Sequence, residues 1–219
     1  MRAKGWMALA FAFGLAMGVA LVARAATETQ NGVRWSYRIV GKTAVLTGAD
    51  PAEGELMIPS LLDYTYPVTS IERSAFYSCI NLTSVTIPDS VTNIGSYAFG
   101  KCSSLMSVMI PDSVTSIGGH AFHDCRGLTS VTIGNSVTNI GDCVFYDCTN
   151  LTSVAIGNSV ADIEGSAFSG CSGLVSFSVA AGNTRYTSID GLLLSKDGTT
   201  LLHGINGGVT IPDGVTSIG

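Results

Sequence analysis

Cysteine, histidine and carboxylate side chains are the groups here able to bind a metal or carry a covalent step, and five of the six cysteines recur at one interval. Cys79, Cys102, Cys125, Cys148 and Cys171 lie 23 residues apart. A zinc site needs ligands clustered by short loops such as C-x-x-C, and each of these cysteines stands alone in its interval. Five members cannot pair completely as disulfides. Side chains stacked in parallel at about 4.8 Å also hold their Cβ atoms wider apart than the roughly 3.8 Å a disulfide prefers. Buried free thiols acting as small hydrophobes are expected. Cys143 breaks the series and falls in the column of Tyr97 and His120. His123, one helical turn from His120, with Asp124 or Asp142 nearby, would complete a metal set. The plainer reading, adopted here, is a variable and partly exposed column with no metal. A nucleophilic Cys143 with His120 as base would need an orienting third group and a pocket, so no catalytic residue is assigned. Asp89, Asp112, Asn135, Asn158 and Asp213 form a further column. Calcium-binding solenoids place several acidic residues in each turn. One per interval, at a turn position, predicts local backbone hydrogen bonding instead. There is no G-x-G-x-x-G, P-loop, H-E-x-x-H or G-x-S-x-G motif, so neither enzymatic activity nor a cofactor is expected.

The same interval runs through the apolar residues, and it dictates the architecture. Phe76, Phe99, Phe122, Phe145 and Phe168 are one column, and Ile71, Ile94, Ile117, Ile140 and Ile163 another. Val68, Val91, Val114, Val137 and Val160 follow it, as do Leu82, Leu105, Leu128, Leu151 and Leu174. Within a unit, Val85 and Ile87 alternate with Ser84 and Thr86, the period of a strand with one buried face. Pro88-Asp89-Ser90 then breaks the strand. A short extended piece from Val91 to Ile94 and a corner at Gly95 follow. Ala98, Phe99 and Cys102 sit at i, i+1 and i+4, which predicts one or two helical turns. A unit this small cannot bury its own apolar face, so neighbours must stack. The expected fold is a β-rich parallel solenoid of 23-residue units, each a strand, a short strand and a helical turn.

The unit L-x-x-V-x-I-P/G-D/N-S-V-x-x-I-G-x-x-A/V-F-x-x-C-x-x resembles the BspA-like leucine-rich repeats. The likeness is close over residues 56–179 and restarts at Ile211 to Gly219. The resemblance implies a bacterial or protist surface protein of a kind whose better-known members bind host matrix proteins or other cells, and it brings no catalytic residues. Two regions depart from the repeat. VRWSYRIVGKTAVLT, residues 33–47, reads as a hairpin around Gly41-Lys42, giving an N-terminal β-hairpin cap over 26–55. LLDYTY is an insertion in the first unit. Residues 180–208 read as an irregular β-hairpin insert, with strands Asp190 to Leu194 and Thr199 to His203 about Ser195-Lys196-Asp197-Gly198. Residues 209–219 start a further repeat and stop before its Phe and Cys, the pattern of a truncated reading frame.

Composition bounds the function. The chain has 219 residues, 12% of them charged, with a net charge of -5 and no basic run. Binding to nucleic acid through phosphate neutralisation is excluded on that ground. Arg2 and Lys4 precede an uncharged stretch from Gly5 to Val22 that ends in Ala23-Arg24-Ala25, so residues 1–25 read as a signal peptide cleaved before Ala26. The stretch is also just long enough to span a bilayer as an uncleaved anchor. Cleavage reduces the 11 basic residues to 8 against 16 acidic ones, and no membrane insertion is expected afterwards. The outward sheet positions Ser84/Thr86, Ser107/Met109, Ser130/Thr132, Ser153/Ala155 and Ser176/Ser178 make a flat, uncharged, hydroxyl-bearing strip. Beside it run Thr92/Asn93, Thr115/Ser116, Thr138/Asn139 and Ala161/Asp162. Serine and threonine also suit exposed strands with no ligand at all. The expectation is a secreted or cell-surface, noncatalytic scaffold presenting the strip to a host or neighbouring-cell protein or glycan, in adhesion. The alternative is a passive spacer or envelope structural module of a longer chain.

Overall fold

The structure, a computed structural model, describes residues 24–219. The expected signal peptide lies outside the described residues up to position 23. Its last two residues, Arg24 and Ala25, open a strand. Among the described residues no helix is long and apolar enough to cross a membrane.

The repeat folds as a solenoid with three ribbons along its length. The long-strand ribbon stacks Gly54–Met57, Leu82–Thr86, Ser107–Ile110, Ser130–Ile133, Ser153–Ile156 and Ser176–Val179 in parallel. Register is kept at 23 residues, as Ser130↔Ser107 and Ser130↔Ser153 show. The short-strand ribbon stacks Tyr66–Ile71, Asn93–Ile94, Ser116–Ile117, Asn139–Ile140 and Asp162–Ile163. The isoleucine, valine, leucine and phenylalanine columns point inward and form one continuous core. Phe76, Phe99, Phe122, Phe145 and Phe168 stack with ring centroids 5.1, 5.2, 5.5 and 5.5 Å apart. These separations lie within the attractive range for aromatic pairs.

The third ribbon corrects the sequence reading. In place of helical turns, each unit makes a succession of tight turns in which alternate amides serve different partners. Ala98, Gly100 and Cys102 donate back within the coil to Gly95, Tyr97 and Phe99. Tyr97, Phe99 and Lys101 donate across to Gly119, Ala121 and His123 of the next coil. An α-helix would turn every amide inward along its own axis and leave the neighbouring coil unpaired. The turns close through left-handed residues four apart, at Tyr97 (φ 60) and Lys101 (φ 60) and their equivalents.

Close stacking also explains the corner glycines. A Cβ on Gly118 would lie 2.4 Å from the Ser96 amide nitrogen of the preceding coil, whereas one on Gly141 would meet nothing nearer than 3.5 Å. Gly118→Ala is expected to cost about 1–3 kcal/mol in urea unfolding, and Gly141→Ala to stay within about 0.5 kcal/mol of the parent. Equal effects would show that the close approach at Gly118 is not the constraint.

The cap is larger than the sequence suggested. β2 (Val33–Val40) and β3 (Thr43–Asp50) form the hairpin around Gly41-Lys42, and β1 (Arg24–Gln30) adds a third strand antiparallel to β2. β3 pairs in parallel with Tyr66–Ile71, so the cap prolongs the short-strand ribbon. It buries Trp35, Tyr37, Ala44 and Leu46 over the first coil, and Arg38 pairs with Glu72 of that coil. The LLDYTY insertion is a small hairpin of its own, Leu61–Leu62 against Tyr66–Ile71.

At the other end, Tyr186–Ile189, Leu192–Ser195 and Thr200–His203 form an antiparallel meander, with Ser217–Ile218 parallel to its last strand. Asp190 and Gly191 are turn residues (φ 51 and 81), so the strand expected from Asp190 starts at Leu192. Gly191 stands where the register would set the next phenylalanine. The end of the Phe168 ring is instead covered edge-on by Phe177, at 5.3 Å and 79°, and His203, at 5.8 Å and 88°. This explains why Phe177 replaces the valine of its column.

Candidate functional site

The alternation of the long strands sets two rows of side chains outward. Ser84, Ser107, Ser130, Ser153 and Ser176 are lateral neighbours in the first row. Met109, Thr132, Ala155 and Ser178 are neighbours in the second, which also carries Thr86 beside Met57. Met57 and Met109 are 72% and 68% exposed, so the row carries two exposed methionines on either side of Thr86 toward its N-terminal end, and Thr132, Ala155 and Ser178 beyond. Where this row meets the following turns, a shallow groove of about 840 Å³ is floored by Met109, Thr132, Ala155 and Ser178 and flanked by Asp112 and Asn135.

Hydroxyl groups on the molecule fall into two sets. Thr129 and Thr152 donate to the carbonyls of Met106 and Thr129. On the short ribbon, Thr92 and Thr115 donate to Thr69 and Thr92. Asn93 there reaches Ser70, and Asn139 reaches Asp162. By contrast, among the described residues no side-chain hydrogen bond engages the hydroxyls of Ser84, Thr86, Ser107, Ser130, Thr132, Ser153, Ser176 or Ser178. The long-ribbon face therefore presents unused donors and acceptors, whereas on the adjacent strip Thr92, Asn93, Thr115 and Asn139 are engaged by neighbouring coils.

The aspartate column behaves differently from the local turn chemistry expected. The Asp112 carboxylate accepts from the Asn135 amide at 2.7 Å and from its side-chain amide at 3.3 Å, one coil away. Asn135 in turn accepts from the Asn158 amide at 3.0 Å. These bonds hold the Asp112 carboxyl below the usual carboxylate range, and they satisfy it without a cation.

All six cysteines are free thiols. Cys102, Cys125, Cys148 and Cys171 are buried, and each donates its S–H to the phenylalanine carbonyl 26 residues earlier, as from Cys125 to Phe99 at 3.1 Å. The ladder thiols thus fasten successive coils as well as filling space. The neighbouring Cys125 thiol, then burial, pushes Cys102 up to about 12, and burial pushes Cys171 up to about 11. Their thiolates are strongly disfavoured, as befits inert structural cysteines.

On the turn ribbon His120 and Cys143 do become neighbours. His120, Asp142 and Cys143 offer ligand atoms all within 4.8 Å of one another. Asp142 accepts a hydrogen bond from Cys143 Sγ at 3.2 Å, and burial together with this carboxylate raises the thiol above its ordinary value. That is the reverse of nucleophile activation, in which a base draws the proton away. His123 and Asp124 are excluded from the group. His123 is buried with Nδ1 on the His120 carbonyl at 3.1 Å, and Asp124 pairs with Arg126.

An aromatic cluster on this ribbon was not anticipated. Tyr97 stacks on His120 at 4.7 Å, and Tyr77 stacks on His123 at 5.9 Å across two coils. The intervening position is Gly100, where a Cβ would lie 2.5 Å from His123 and 3.1 Å from Tyr77. Arg73 and Lys101 lie over the Tyr97 and Tyr77 rings. The signal was available as a column holding Tyr77, Gly100 and His123, in which glycine permits contact across the gap.

A profile of the BspA type leucine rich repeat region matches residues 69–189 in 6 copies. The chain belongs to the BspA-type leucine-rich repeat family. Its fold is similar to the leucine rich repeat protein of T. pallidum, 33% identical with a TM-score of 0.62 over 65% of this chain and 67% of that one. A leucine rich cell surface protein from Faecalibacterium prausnitzii is 26% identical, with a TM-score of 0.50 over 87% of this chain and 65% of that one. The pneumococcal vaccine antigen PcpA shares the fold at 21% identity, with a TM-score of 0.59 over 88% of this chain and 60% of that one. This BspA-type chain therefore spans 60 to 67% of the length of the three. No curated protein sequence matches it.

Proposed function

We propose that this BspA-type chain is an exported, noncatalytic scaffold whose long-ribbon face binds a protein or glycan partner at the cell surface, in adhesion. The observation that carries the reading is the contrast between the two sets of hydroxyls. Among the described residues those of the long-ribbon face make no side-chain hydrogen bond, while Thr92 and Thr115 of the adjoining ribbon donate to backbone carbonyls. A flat face with many unengaged hydroxyls, few charges and an apolar margin at Met57 and Met109 suits an uncharged glycan or a weakly polar protein surface. Cell-surface location is supported by the F. prausnitzii relative, described as a cell surface protein, and by the signal-like residues 1–25. Cleavage before Ala26 would keep the five pairs of β1 with β2 from Ala26↔Tyr37 to Gln30↔Val33, so the cap tolerates it. The match to the BspA type leucine rich repeat region supports a scaffold role.

The test is a binding survey of the purified chain against extracellular-matrix proteins, whole host cells and an immobilised glycan panel. Saturable binding to at least one probe is expected. Binding no stronger than that of a variant with the long-ribbon face scrambled would leave the passive spacer as the better description.

A further inference from the structure

We propose that His120, Asp142 and Cys143 form a binding site for a borderline-soft divalent cation of the zinc class. Three independent features single these residues out. Among the three histidines, His123 and His203 each tie Nδ1 to a backbone carbonyl, at 3.1 and 2.6 Å, whereas neither ring nitrogen of His120 has a partner among the described residues. Among the cysteines, four donate to buried carbonyls, and Cys143 alone is paired with a carboxylate. The two meet because the solenoid sets position 143 beside position 120, in successive left-handed residues (φ 63 and 54) that turn both side chains onto the outer ribbon. Asp142 then arrives by sequence adjacency.

The geometry suits the ion. The ligand atoms lie within 4.8 Å of one another, with Sγ and the carboxylate already at 3.2 Å. Metal–ligand bonds of about 2.0–2.3 Å in a tetrahedron place ligand atoms roughly 3.3–3.8 Å apart. A movement of about 1 Å by these exposed and half-buried side chains closes that difference. The Tyr97 ring, stacked on the imidazole at 4.7 Å, fixes its plane. A sulfur, nitrogen and oxygen set selects zinc-like ions over magnesium or calcium, which prefer oxygen alone. Binding breaks the Sγ–H bond, forms an Sγ–metal bond and releases the proton to water. Thiolate and carboxylate then neutralise the dication, and a fourth position stays open to water.

The test uses the full chain, tag-free and reduced, titrated with cobalt(II) as the spectroscopic stand-in and then with zinc. One equivalent is expected to give a thiolate-to-cobalt charge-transfer band in the near ultraviolet, which zinc abolishes. Cys143→Ser should remove the band, His120→Ala should weaken cobalt binding by roughly tenfold or more, and Cys79→Ser should leave both unchanged. Absence of the band in the parent chain, its persistence in Cys143→Ser, or its loss in Cys79→Ser would overturn the assignment. Circular dichroism of each variant checks that the coils remain folded, and the Asp142→Asn variant supplies a second, isosteric probe of the same set.

Discussion

Phe122→Ala is expected to lower stability by about 3–5 kcal/mol in urea unfolding. Phe122 is fully buried and sits in the middle of the phenylalanine stack, 5.2 Å from Phe99 and 5.5 Å from Phe145. Truncation removes the transfer energy of the ring and leaves a cavity that the coils cannot close. Their separation is set by backbone ladders on all three ribbons, so neither neighbour can move in. In a linear array each unit is stabilised chiefly by its neighbours, and a central gap weakens two interfaces at once. Phe76, at the first coil, has a phenylalanine partner on one side only, and Phe76→Ala should cost less. A loss below about 1 kcal/mol at Phe122 would remove the stack from its place as the spine of the core.

The second large effect is expected at Asn183. It stands in the column of Val68, Val91, Val114, Val137 and Val160, yet it is 1% exposed. Its side-chain amide donates to Gly157 at 2.8 Å and Val160 at 3.0 Å, and its oxygen accepts from the amides of Arg185 and Tyr186, both at 2.8 Å. The four bonds join the last regular coil to the start of the meander. Asn183→Leu keeps the size and satisfies the apolar pattern of the column, but strips partners from four backbone groups. Buried groups left unpaired cost about 1–3 kcal/mol each. A total loss of about 3 kcal/mol or more is expected in urea unfolding, with limited proteolysis near residues 184–190 rising first. Asn183→Leu with stability within about 1 kcal/mol of the parent would show that these bonds are not what holds the meander.

These two residues also mark the boundary of what the sequence made legible. Phe122 was readable because a strict period turns sequence spacing into lateral contact, and the same holds for every apolar column and for the outward serine row. Asn183 was readable only as a break in a column, since four bonds to backbone leave no repeating trace. The turn ribbon was misread as helical because the spacing of Ala98, Phe99 and Cys102 fits either conformation. The choice was made by the amides, half of which pair with the next coil, and amide direction is not encoded in side-chain type. β1 escaped notice because it overlaps the end of the signal-like segment and shows little apolar alternation. The His120, Asp142 and Cys143 group needed both the column, which brings the first and third together, and the turn geometry, which brings in the second.

The scarcity of charge also follows from stacking. A residue repeated every 23 positions meets its own copy in the next coil, and like charges there repel. After Asp112 the turn column continues with the amides Asn135, which bonds to that carboxylate, and Asn158, which bonds to Asn135, so no further carboxylate stacks on it there.

We propose the long-ribbon face as the recognition surface, so binding should map to that face and not to the short ribbon. Thr132→Arg combined with Ala155→Arg sets two bulky cations in the middle of that face, while Thr138→Arg sets one on the short ribbon. Against whichever matrix protein or glycan the parent chain binds, affinity should fall by roughly tenfold or more in the first variant, a change of about 1.4 kcal/mol, and hold in the second. Binding that survives the long-ribbon pair and is lost with Thr138→Arg would place the partner on the short ribbon instead.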